Sequence, residues 1–158
     1  MKKVLFVCSG NTCRSPMAEG YLNFRLKKDG SDKEWTAISG GLHTMSGLPA
    51  HPQSKECAEA DHIDLSAHRS QPITENLVND SSLIFTMTSE HKRELLEHFP
   101  EAQLKVYSFK ELPSIKRDIP DPIGLGTDVY HHVYEDIKKG VDEIHEMIIK
   151  RESPTQRE

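Results

Sequence analysis

The stretch that decides the fold is Lys3-Val4-Leu5-Phe6-Val7-Cys8-Ser9-Gly10-Asn11-Thr12-Cys13-Arg14-Ser15-Pro16. Residues 3–7 are a short apolar run, which reads as a buried strand. The run stops abruptly at Cys8. Ser15-Pro16 then reads as an N-cap followed by proline in a first helical turn. Ala18, Leu22 and Leu26 continue at i, i+4 spacing, which predicts an amphipathic helix over about 16–28. Asp29-Gly30-Ser31 ends it. The opening segment is thus a strand, a tight loop and a helix.

The same alternation runs on along the chain. Trp35 to Ile38 reads as a second strand, followed by a Gly/Pro-rich loop over 41–52. Helices are expected around 52–60 and 73–79. Leu83 to Met87 is a third apolar strand, and 89–98 a charged helix. Residues 103–107 are expected as a fourth strand. Val129, Val133, Ile137, Val141, Ile144 and Ile148 recur every three or four residues, so the last element is a long helix with one buried stripe. Strands alternating with helices imply parallel βαβ units with right-handed crossovers. The expectation is an α/β three-layer sandwich around a four-stranded parallel sheet. Ligands in such sheets bind beyond the carboxyl ends of the strands, where residues 8–14 lie.

At 158 residues the chain is the size of one domain. That domain is expected over 1–151, with 152–158 as a flexible tail because it lacks apolar anchors. The 20 basic and 25 acidic side chains leave a formal charge of −5, which argues against broad nucleic-acid binding. No apolar run has the length of a membrane span, and residues 4–7 are too short for a signal peptide. Three cysteines, Cys8, Cys13 and Cys57, with no secretion signal, point to a reducing, cytoplasmic setting.

The loop carries chemistry. Successive backbone N–H groups between a strand and a helix N-terminus can curl into an anion nest. Arg14 offers a planar fork that fits two phosphate oxygens. The same positive field would stabilise a thiolate at Cys8. A nucleophile beneath a bound tetrahedral oxyanion is the layout for phosphoryl transfer through a cysteinyl-phosphate. The bland alternative is a Gly/Ser-rich turn with two buried cysteines. The G-x-x-x-x-G-K-[ST] spacing is absent, and Cys8 and Cys13 lack a second Cys/His pair for zinc. His131-His132 is a poor chelate, since adjacent helical side chains point about 100° apart. No cofactor or metal is expected.

Residues 7–16 resemble the signature of the low-molecular-weight protein phosphatases. The resemblance extends over about 3–150 and includes Ile38-Ser39-Gly40-Gly41, Ile63-Asp64-Leu65-Ser66-Ala67-His68-Arg69-Ser70, and Asp118-Ile119-Pro120-Asp121-Pro122. It implies that Cys8 is the nucleophile and that Ser9, Gly10, Asn11, Thr12, Cys13, Arg14 and Ser15 form the phosphate loop. Arg14 would clamp the phosphate, and Ser15 would hydrogen-bond the thiolate. Asn11, Ser39 and His68 would support the loop's shape. Asp121 would be the general acid and later the base, with Asp118 its competitor; a carboxyl held near a phosphate and a thiolate keeps its proton more tightly, which suits a donor. Cys13 has two readings, a disulfide partner for oxidised Cys8 or a small buried hydrophobe. Cys57 reads as packing.

The substrate pocket departs from the tyrosine-specific pattern. Ile123 follows Asp121-Pro122 where those members carry tyrosine, and Met45 aligns with the opposite wall, commonly aromatic. Thr12 replaces a common isoleucine. Residues 10–19, Gly-Asn-Thr-Cys-Arg-Ser-Pro-Met-Ala-Glu, are similar to the bacterial protein-arginine phosphatase subgroup. The resemblance therefore implies a hydrolase of phosphorylated proteins, leaning to phosphoarginine, with phosphotyrosine as the alternative. Phosphate and oxyanions such as orthovanadate are expected inhibitors, and the chain is expected to be a monomer. Arsenate reductase needs a resolving cysteine pair, and only Cys57 lies outside the loop. A non-catalytic phosphate-binding module would not need Cys8, Ser15 and Asp121 together.

Overall fold

The computed structural model describes residues 1–154. Four parallel strands among these form one sheet: β1 (Lys2–Cys8), β2 (Trp35–Gly41), β3 (Leu83–Thr86) and β4 (Val106–Ser108), in the order β2-β1-β3-β4. The helices are α1 (Arg14–Asp29), α2 (Pro52–Glu59), α3 (Glu75–Asp80), α4 (Ser89–His98) and α5 (Thr127–Lys150). This is the expected α/β sandwich.

The apolar run in β1 is continuous because both of its faces are covered. Val4, Phe6 and Cys8 join one core with Met17, Leu22 and Leu26 of α1 and Ile137, Val141 and Ile144 of α5. Leu5 and Val7 point the other way, into a smaller core with Val78, Ile84, Leu95 and Val106. Residues alternate across the sheet, so one strand feeds two cores. In the middle of α5, Gly140 lets the helix sit close to Phe109. A Cβ there would lie 2.7 Å from the Phe109 ring.

Three local expectations need correction. Ser15 does not cap α1: the cap position is Cys13, and the helix starts at Arg14. Ser15 is turned inward, where Cys8 and Asn11 engage its hydroxyl. β2 runs on through Ser39-Gly40-Gly41 instead of stopping at Ile38. These glycines pair with Val7 and Cys8, and a Cβ on Gly41 would lie 2.6 Å from the Ser9 carbonyl oxygen. The fourth strand is shorter and later than 103–107. Pro100 starts a 3₁₀ turn over Pro100–Lys105, where Leu104 is 93% exposed. Only from Val106 does the chain reach the sheet.

Helix ends follow ordinary chemistry. Gly30, at φ 82°, closes α1 in the left-handed conformation that glycine adopts freely. Thr74 and Thr88 cap α3 and α4 through their hydroxyls. At the far end Arg151 closes α5, and the Glu152 N–H bonds the Met147 carbonyl. Of the segment read as a tail, Pro154 is buried, and 155–158 lie outside the described residues.

Candidate active site

β1 delivers Cys8 to the carboxyl edge of the sheet, and α1 begins six residues later at Arg14. The loop between them turns on Asn11. This residue has φ 56°, a left-handed conformation that L side chains seldom adopt, and it is fully buried. Five hydrogen bonds hold it. Its N–H donates to the Cys8 Sγ at 3.2 Å. Its Nδ2 donates to Ser15 Oγ at 2.8 Å and to Ser39 Oγ at 2.9 Å. Its Oδ1 accepts the Gln71 N–H at 2.9 Å. Its carbonyl accepts from His68 Nε2 at 2.7 Å. A carbonyl only accepts, so His68 carries its proton on Nε2. The strained conformation persists because its surroundings over-determine it.

The nucleophile candidate sits inside this network. Cys8 is buried, with its Sγ 2.9 Å from Ser15 Oγ. Ser15 Oγ already accepts from Asn11, so its own proton is free to point at the sulfur. Ser39 passes the network onward, donating to Glu19 at 2.6 Å. Burial raises the Glu19 pKa, against the opposing pull of the Ser39 hydrogen bond.

Arg14 is 5% exposed. One guanidinium nitrogen donates to the Ile119 carbonyl at 2.9 Å. Another lies 4.0 Å from Asp121 Oδ2. The Ile119 N–H in turn bonds the Met87 carbonyl at the end of β3. The loop that carries Asp118 and Asp121 is therefore fastened both to the sheet and to the arginine. The two candidate aspartates are separated by this arrangement. Asp118 accepts the Ser89 N–H at 2.9 Å at the start of α4. Asp121 stands beside Arg14 with its other oxygen on the Ile123 N–H at 3.1 Å.

Structure brings Cys8, Arg14, Ser15, Asn11, Ser39, His68 and Asp121 to one sheet edge. The residues expected to wall a substrate pocket are more open. Met45 and Ile123 are 67% and 54% exposed, on the two loops that flank the phosphate loop. Thr12 is half-buried; its Oγ1 is 3.9 Å from Cys13 Sγ, and its carbonyl accepts the His51 N–H. Cys13 Sγ lies 3.4 Å from the hydroxyl of buried Tyr130, and burial pushes the Cys13 thiol up. Cys57 packs beneath α5, 3.7 Å from His131 Nδ1.

Three residues of this network escaped the sequence analysis: Glu19, Gln71 and His91. Glu19 stands at the end of the quoted 10–19 stretch, and Gln71 directly follows Ser70. Both carried a positional signal. His91, whose Nε2 lies 2.9 Å from Ser9 Oγ, carried none, because only tertiary packing brings it to the loop.

Comparisons with known proteins bear on this arrangement. A family model described as "Low molecular weight phosphotyrosine protein phosphatase" matches residues 3–154. A probable low molecular weight protein-tyrosine-phosphatase, EpsP, from Ralstonia nicotianae is 34% identical over 142 residues, covering 90% of this chain and 92% of that one. A protein-arginine-phosphatase from Bacillus subtilis is 32% identical over 137 residues, covering 86% and 89%. The solved structure of a low molecular weight protein tyrosine phosphatase from T. tengcongensis superposes with a TM-score of 0.87 at 37% identity, covering 92% and 99%. With the loop, the arginine and the acid loop in this geometry, and the family model spanning nearly every described residue, the chain belongs to the low molecular weight phosphotyrosine protein phosphatase family.

Proposed function

We propose that the protein hydrolyses phosphorylated proteins through a cysteinyl-phosphate. The observation that carries this is the convergence of the Cys8 sulfur, the buried Arg14 fork and the Asp121 carboxyl on one loop. The Asn11 N–H donates to the Cys8 sulfur, and the Ser15 hydroxyl stands within hydrogen-bond distance of it. Loop N–H groups and Arg14 hold the phosphoryl oxygens. The Cys8 sulfur forms an S–P bond as the bond from phosphorus to the leaving group breaks. Asp121 gives its proton to the departing atom. Water then attacks phosphorus, Asp121 takes the water's proton, and the thiolate leaves with inorganic phosphate as product.

The favoured substrate is phosphoarginine. Neither Met45 nor Ile123 supplies an aromatic ring to stack on a phenyl group, an interaction worth about 0.5–1.5 kcal/mol. Thr12 and Asp121 offer polar partners near a guanidinium. The second reading is phosphotyrosine, supported by the two exposed apolar side chains that could flank a ring and by relatives with that name. The enzyme is read as a cytoplasmic monomer over 1–151, needing no metal; its cysteines are all unpaired thiols.

The test is turnover of p-nitrophenyl phosphate with competition by orthovanadate. Cys8→Ser should abolish turnover while phosphopeptide binding persists. Retention of more than about 5% of activity would remove Cys8 as nucleophile, since covalent catalysis has no substitute once the sulfur is gone.

A further inference from the structure

Ser9 follows the nucleophile, and its carbonyl accepts the His43 N–H at 2.9 Å. Ser9 is half-buried within the phosphate loop, and its Oγ meets His91 Nε2 at 2.9 Å. His91 belongs to the first turn of α4, with its backbone N–H on Thr88 Oγ1 at 3.0 Å, and is 7% exposed. Its Nδ1 is buried with no hydrogen-bond partner. A buried N–H without an acceptor is seldom tolerated, whereas an unused lone pair costs less. The ring proton therefore lies on Nε2 and is donated to Ser9 Oγ. That uses one lone pair of the hydroxyl and leaves the second, together with its proton, for a ligand.

Burial, with the Arg14 charge adding to it, pushes the His91 pKa down to about 4, so the ring is neutral at neutral pH. Arg14, Glu94, Asp118 and His43 are the charged and titratable groups that act electrostatically on the ring. Glu94 is paired with His43 at 2.6 Å.

We infer that Ser9 and His91 form a polar wall that selects a phosphorylated guanidinium over a phosphorylated phenol. Ser9 Oγ accepts a guanidinium N–H, and His91 is the positioning residue that fixes the hydroxyl. A guanidinium is rich in N–H donors. A phenyl ring against the same wall offers none and leaves the hydroxyl unpaired. A neutral imidazole also adds no positive charge against a cationic leaving group. This inference rests on the phosphatase reading and names its substrate class.

The readout is the ratio of kcat/KM for a phosphoarginine peptide to that for a phosphotyrosine peptide of the same sequence, which cancels any loss common to both. Ser9→Ala should lower this ratio about tenfold, the scale of one hydrogen bond of roughly 1.4 kcal/mol. Ser9→Thr, which keeps a hydroxyl, should hold it within about threefold. His91→Phe, which fills the same space without an N–H, should lower it in the direction of Ser9→Ala. A Ser9→Ala ratio within about twofold of the parent overturns the inference. So does a parent enzyme that hydrolyses phosphotyrosine and p-nitrophenyl phosphate but not phosphoarginine, and there the phosphatase reading stands. A parent that hydrolyses none of the three overturns both.

Discussion

At the scale of single residues, the two aspartates of the acid loop show how position divides identical chemistry. Asp118 and Asp121 are three residues apart on a proline-stiffened loop. One spends its carboxylate on the start of α4, accepting the Ser89 N–H and lying 3.4 Å from the Ser89 hydroxyl. The other leans toward Arg14. Their substitutions should therefore separate. Asp121→Ala should slow a substrate with a poor leaving group by about a hundredfold, within the range for loss of a general acid. p-Nitrophenyl phosphate, whose leaving group needs little protonation, should lose far less. Asp118→Ala should cost about 1 kcal/mol of stability, as the loss of a helix cap does, with the same modest effect on both substrates. Steady-state kinetics on the substrate pair, with urea unfolding of each variant, measures both. An equal loss on both substrates in Asp121→Ala would remove it as the acid.

At the scale of elements, the loop is shaped as much by its neighbour strand as by its own residues. Gly41 ends β2 opposite Cys8. A Cβ there would lie 2.6 Å from the Ser9 carbonyl oxygen and 2.8 Å from Thr44 Cγ2. The first contact is backbone and cannot rotate away. Gly41→Ala should therefore push the phosphate loop out of place while the sheet survives, costing roughly 1–3 kcal/mol of stability. Orthovanadate should bind at least about tenfold more weakly, since each loop N–H aimed at the oxyanion loses its alignment. Orthovanadate inhibition at parental strength in Gly41→Ala would show that the loop yields without cost. The same contacts explain which elements were legible in advance. β1 announced itself as a continuous apolar run, and α1 and α5 through apolar residues that recur at helical spacing, whereas α4 was legible only as a charged stretch. β2 was cut short because its last residues are glycines, which look like a turn and serve here as clearance. β4 was misplaced because its apolar residues overlap a proline-led 3₁₀ turn, and period alone does not distinguish the two. Within the site, the loop, Arg14 and Asp121 were readable as motifs, whereas His91 reaches the loop only through packing.

At the scale of the whole molecule, the same buried histidine ties stability to pH. The His91 pKa lies near 4 in the folded chain against an ordinary 6.5. Between those values the unfolded chain binds a proton that the folded chain refuses, so stability rises with pH across that window and falls as pH drops through it. Below about 4 both states are protonated and the effect saturates. The full window is worth about 3 kcal/mol at 1.36 kcal/mol per unit. Asp29 and Asp61 act in the same direction but at lower pH. Burial opposes ionisation of each, and stronger hydrogen bonds, from Ser31 and His145 to one and from Tyr134 and Lys138 to the other, hold both below the usual carboxylate range. Their contribution is complete above the unfolded carboxylate value, near 3.9, and is lost only as pH falls through their lower folded values. Urea unfolding at pH 7 and at pH 4.5 separates the two sources. The parent should lose about 2–3 kcal/mol between these conditions, most of it through His91. His91→Phe, which cannot titrate and fills the same space, should lose little over that interval. A parent and a variant that weaken in parallel would mean that His91 takes up its proton in the folded state with little penalty. The buried ring would then have to find an acceptor for a proton on Nδ1, which in the folded chain has none.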